Sequence, residues 1–114
     1  MVDKGQLWRE FGLHKFEIVE CEVVEHRGHF GVDVDVLTPH GKKPAFIDFV
    51  LLAEPGTAVT PRDFPPVGTV LRAVTLDFMP WGELRLSARS SSIQRQELID
   101  LEAAEAAEKD TSTE

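Results

Sequence analysis

Between Phe16 and Arg89 the chain alternates apolar and polar residues in short runs, the two-residue period of strands with one buried and one wetted face. The first run covers Phe16 to Glu25, with Val19, Cys21 and Val23 on one side and Glu20 and Glu22 on the other. A turn at His26-Arg27-Gly28 leads to a second run in which Phe30, Val32, Val34 and Val36 alternate with His29, Gly31, Asp33 and Asp35. Gly31 inside this run predicts a bulge or a sharp bend, and a bulge would reset the alternation and turn Phe30 to solvent. The segment Thr38 to Pro44 reads as a hairpin loop carrying Lys42 and Lys43. The run Ala45 to Ala53, apolar on nearly both sides except for Asp48, predicts a central strand.

The last two runs, Thr69 to Phe78 and Glu83 to Arg89, flank Met79-Pro80-Trp81-Gly82, where proline and glycine mark a hairpin turn. In the second arm Leu84, Leu86 and Ala88 alternate with Glu83, Arg85, Ser87 and Arg89. In the first, Arg72 falls in register with Val70, Val74, Leu76 and Phe78.

The flanks follow other patterns. Leu7, Trp8 and Phe11 form one side of a short helix that Gly12 ends, suited to plugging an open barrel end. Glu54 to Val67 holds four of the seven prolines, a density that excludes a strand or long helix and predicts an ordered irregular connection anchored by Phe64. After the hairpin, Ser90-Ser91-Ser92 supply N-cap residues and Ser91 with Gln94 has capping-box spacing. The helix predicted next spreads its apolar residues around the axis, so its first turns are expected to pack and the rest to fray. The expected organisation is a capping extension (residues 1–15), a barrel (16–90), and a C-terminal helix with an acidic tail (91–114). Five strands, a glycine bend in the second and an irregular connection before the fourth predict an all-β protein: a five-stranded Greek-key OB-type barrel with a C-terminal α-helix.

Length and charge narrow the function. A chain of 114 residues makes one domain with a modest core. No apolar run approaches the ~20 residues of a membrane span, and the N-terminus lacks a secretory-type apolar stretch, so a cytoplasmic protein without membrane partners is expected. The net charge of −8 repels nucleic acid at long range. Seven acids against two bases lie beyond Arg89, however, so most of the imbalance sits in the tail.

No reaction chemistry stands out. Cys21 lies at strand spacing between valines without a predicted base nearby, the serines cluster where capping explains them, and no phosphate loop or dinucleotide fingerprint is present. The reading is non-enzymatic, with no cofactor. His26, His29, Asp33, Asp35 and His40 are chemically acceptable metal ligands, but acids alternating with valines also describe any solvated strand face; no metal site is expected.

Several blocks resemble the RNA-binding domain first described in ribosomal protein S-one. They are Phe30-Gly31-Val32, the run Ala45-Phe46-Ile47-Asp48 after a Gly-Lys loop, and Val67-Gly68-Thr69-Val70 leading to Gly82-Glu83-Leu84-Arg85-Leu86-Ser87-Ala88-Arg89. The resemblance covers roughly residues 16 to 90. It implies single-stranded or ribosome-associated RNA as the partner, with stacking on aromatics and cations meeting phosphate. Phe30 matches the family's first stacking aromatic and Asp77 the aspartate that ends strand four. The second aromatic position holds Asp33, the histidine position Asp48 and the basic position Glu83, three carboxylates that would oppose phosphate. Two expectations follow. One is RNA binding through His29, Phe30, Lys42, Lys43, Trp81, Arg85 and Arg89. The other is an acidic interaction or inhibitor face, built on Asp33, Asp48 and Glu83, that masks a basic partner such as an RNA-binding protein or a nuclease toxin.

Overall fold

Five strands wrap into a closed barrel in a computed structural model that describes residues 3–112. They are β1 (Ile18–Arg27), β2 (Gly31–Thr38), β3 (Gly41–Asp48), β4 (Val70–Phe78) and β5 (Leu84–Ser87), with helices α1 (Lys4–Phe11) before and α2 (Ser90–Ser112) after. The order around the barrel is β1-β2-β3-β5-β4, and β4 closes on β1. All neighbours are antiparallel except β3 and β5, which run parallel with only Phe46 and Arg85 in register. This is the OB-type Greek key that the strand pattern predicts. No helix among the described residues is long and apolar enough to cross a membrane.

The alternation read from the sequence fills the barrel. Val19, Cys21 and Val23 from β1, Val32, Val34 and Val36 from β2, Ala45 and Ile47 from β3, and Leu84 and Leu86 from β5 form one buried cluster. In β4 the parity differs from the sequence reading. Ala73 joins that core, whereas Val74 is buried on the outer face beside Phe16, Leu76 and α2 residue Ile99. A register shift between Thr75 and Asp77 then swings Phe78 inward. Arg72 therefore lies on the exposed outer face and pairs with Glu97 of α2 at 3.2 Å.

Helix α1 packs its aromatic side against the barrel residue Phe78. Trp8 and Phe11 meet Phe78 edge-on, with ring centroids 4.7 and 5.0 Å apart. Gly12, at φ 68°, ends the helix in the left-handed conformation that only glycine adopts without strain. Phe64 is buried and meets the His26 ring edge-on at 5.7 Å, which anchors the proline-rich connection.

Four local expectations need correction. Lys42 and Lys43 stand on strand β3, not in a loop, because the hairpin turns tightly between Thr38 and Gly41. The bulge lies in β1 at Val24, where register with β2 shifts, rather than at Gly31. The start of α2 is held from outside. The Glu54 carboxylate accepts both the Ser91 amide and hydroxyl at 2.6 Å, which keeps that carboxyl below its ordinary pKa, and no Ser91–Gln94 box forms. The contacts of α2 with the barrel lie in its first half, from Ser92 to Ile99, and the remainder, expected to fray, is helical through Ser112. The final two residues of the predicted tail lie outside the described residues.

Candidate functional site

The outer face where β2, β3 and β5 meet carries the candidate site. Gly31 makes it possible. At φ 147° its backbone presses against β3, and a Cβ there would sit on the Ile47 carbonyl oxygen and crowd the Phe49 amide. The chain enters β2 through this contact, and the Phe30 carbonyl accepts the Phe49 amide at 2.9 Å. Phe30 is thereby left outside the strand, 58% exposed, with the His29 ring tilted against it at 4.4 Å. Across the face, the Met79–Glu83 turn closes with the Met79 amide donating to Glu83 O at 2.7 Å and lifts Trp81 to 68% exposure.

Phe30 and Trp81 line one groove of about 320 Å³ whose floor is Phe46 and whose walls include Arg27, Asp48, Met79, Glu83 and Arg85. Arg27, which the sequence reading left in a turn, is its organising residue. The guanidinium lies 4.1 Å over the Phe46 ring, donates to both Glu83 carboxylate oxygens at 3.1 and 2.6 Å, and donates to Asp33 Oδ1 at 2.5 Å. A planar fork held by two carboxylates and stacked on an aromatic is a use to which arginine is better suited than lysine. The hydrogen bonds Arg27 donates to Glu83 and then to Asp33 raise its pKa, and Arg27 in turn holds the Glu83 carboxyl below its ordinary value despite partial burial.

The three carboxylates on which the sequence resemblance places contacts are therefore engaged. Asp33 and Glu83 face Arg27, and Asp48 caps the 3₁₀ turn Phe49–Leu51 by accepting the Val50 amide at 3.1 Å. Sequence reasoning missed Arg27. The signal available was a lone arginine at the end of a strand whose neighbour carries acids on its outer face.

The expected cations are scattered. Arg85 sits in the groove, half-buried, with Nη1 3.8 Å from Met79 Sδ. Lys42 is 3.6 Å from Glu22, towards the far end of β3, and Lys43 is beside it. Arg89 donates to the Val50 and Ala53 carbonyls at 2.7 and 2.9 Å, tying the 3₁₀ turn to the start of α2. The residues considered as metal ligands also separate: His26 bonds Pro65 O, His29 stacks on Phe30 and Asp33 holds Arg27. Among the described residues no three His, Cys, Asp or Glu gather as a metal site. Cys21 is fully buried, and burial pushes its thiol up to about 12, far from a reactive thiolate.

The ion pairs give a pH dependence. Because the Glu83 pKa is depressed in the folded state, its contribution to stability is full above the unfolded value of about 4.3 and is lost as pH falls through the folded value. Arg27→Gln is expected to cost about 1 kcal/mol at neutral pH after allowing for solvent screening. That cost should shrink in acid, and urea unfolding of both proteins at neutral and acidic pH measures the convergence.

The fold and groove define an OB-type barrel with an aromatic, arginine-bearing outer face. No family model matches the chain, and neither does any curated protein. Among solved structures it is similar to the a/eIF2alpha-aDim2p-rRNA complex from Pyrococcus horikoshii OT3, with TM-score 0.57 and 25% identity over 84% of this chain. It is also similar to the intact alpha subunit of aIF2 from Pyrococcus abyssi, with TM-score 0.55 and 24% identity over 68% of this chain. The chain spans 55% and 29% of the lengths of those two chains.

Proposed function

We propose that this barrel is a non-catalytic RNA-binding module of the S-one-like type, acting on single-stranded RNA in the cytoplasm. The observation that carries the reading is that two exposed aromatics, Phe30 and Trp81, open onto one groove with Arg85, while Asp33 and Glu83 are satisfied by Arg27. Exposed rings offer stacking platforms to any base, and carboxylates already paired with a guanidinium repel phosphate far less than free ones. Support also comes from the likeness to a solved complex that contains ribosomal RNA. Stacking is worth about 1–3 kcal/mol per base, so Phe30→Ala and Trp81→Ala should each weaken binding to a labelled single-stranded oligonucleotide by that amount. Fluorescence anisotropy at low salt is the measurement. No binding by the intact protein would overturn the reading.

The alternative, a face for a basic protein partner, finds its support around Asp33, on β1 and β2, rather than at Asp48 and Glu83. On β1 and β2, Glu22 stands directly opposite Asp35 and Glu25 opposite Asp33, like-charge pairs that a sheet keeps at a cost. Stoichiometric capture of a basic protein that survives ribonuclease treatment would favour it.

A further inference from the structure

Resting on the RNA reading, we infer that the groove takes a single dinucleotide step, two bases and the one phosphate between them, and does not track a longer strand. The cations decide this. Arg27 lies in the groove but is spent, its Nη2 shared between Asp33 and Glu83, its Nη1 on Glu83 and one face of its guanidinium plane against the Phe46 ring. To meet a phosphate it would have to abandon a bidentate carboxylate. Arg85 has no carboxylate partner among the described residues; its one side-chain contact is the sulfur of Met79, a weak acceptor. One guanidinium is thus free for one phosphate, beside two exposed rings suited to two bases.

The exits from the groove are closed to a polyanion. Along β3 the next outward cation, Lys42, is four residues from Phe46, roughly 13 Å at the rise of a strand. The path to it passes Asp35, which pairs in register with Pro44, and ends at Glu22, which holds the Lys42 ammonium. Along β5 the next outward cation, Arg89, has its guanidinium turned to the Val50 and Ala53 carbonyls. The groove's own volume, about 320 Å³, lies at the small end of the range for ligand sites. The chain as a whole carries a net charge of −8, most of it beyond Arg89, so no basic surplus is at hand to draw in a longer strand.

Counterion release turns this into a measurement on the unaltered protein. A single phosphate contact to a single strand predicts a log–log salt slope near −0.7, about a threefold loss of affinity between ~50 and ~200 mM salt. A labelled dinucleoside monophosphate should bind, and should compete with a dodecanucleotide for the same site. Arg85→Gln should flatten the slope towards zero, whereas Lys42→Gln and Lys43→Gln should leave it unchanged. A slope steeper than about −2, or one that flattens on loss of the lysines, overturns the single-step inference and leaves RNA binding standing. Failure of every RNA, long or short, to bind at low salt overturns the RNA reading itself. Because the wild-type slope needs no variant, misfolding of Arg85→Gln would not rescue the inference.

Discussion

Gly31→Ala should unfold much of the population or lower the urea midpoint by the equivalent of about 3 kcal/mol or more. Two costs combine. The first is a positive φ that an L side chain adopts only under strain, worth about 1–3 kcal/mol. The second is steric, since the new methyl group would meet the Ile47 carbonyl and the Phe49 amide, both main-chain atoms that cannot swing aside. Relief requires β2 and β3 to part at Asp48 and Gly31, which are paired in register, and that opens the barrel wall. Against a total stability of ~5–15 kcal/mol the loss is a large fraction. The same change would move Phe30, so if the proposed RNA binding holds, affinity should fall even in whatever fraction remains folded. An unchanged midpoint would show that the two strands do not approach this closely.

Phe78→Ala should be comparably severe, about 3–5 kcal/mol, because a fully buried ring is deleted from a position that cannot collapse easily. Phe78 is the inward residue after the register shift in β4, and it is also the surface against which Trp8 and Phe11 pack edge-on. Its loss therefore leaves a cavity in the barrel and removes the seat of α1. A drop in melting temperature of roughly 15 °C or more is expected for a domain of this size. Trp8→Ala should cost less, since Trp8 is only partly buried and Phe11 still covers the barrel end. Equal losses from the two substitutions would mean that the helix, not the barrel core, limits stability.

Much of this architecture was legible in the residues. Alternation in β1, β2 and β5 assigns their inward sets correctly because each of these strands has one face in the core. In β4 the same logic assigns the wrong parity, since α2 covers the outer side of Val74 and buries it there, and a register shift before Phe78 hides the true phase. The turn that exposes Trp81 and the plug formed by Trp8 and Phe11 followed from local chemistry: proline and glycine in one case, an aromatic stripe and Gly12 in the other. Arg27 did not. Its partners lie 6 and 56 residues away, Asp33 on the adjacent strand and Glu83 at a hairpin brought in by the Greek key. A carboxylate that looks like an obstacle to phosphate in one dimension is, in three, the partner of a cation already present. A separate long-range contact withdraws Arg89, which serves the backbone at Val50 and Ala53.

The parallel junction of β3 and β5 has a consequence for how the groove behaves over time. Phe46 and Arg85 are the sole registered neighbours there, while the other junctions run for several residues. Amide protection is expected to follow ladder length, so hydrogen exchange at the β3–β5 wall beneath the aromatic floor should be faster than at the other junctions. A guest that rests on Phe46 and is gripped by Arg85 would act as a suture across that gap, and its affinity is set partly by the entropy of stilling it.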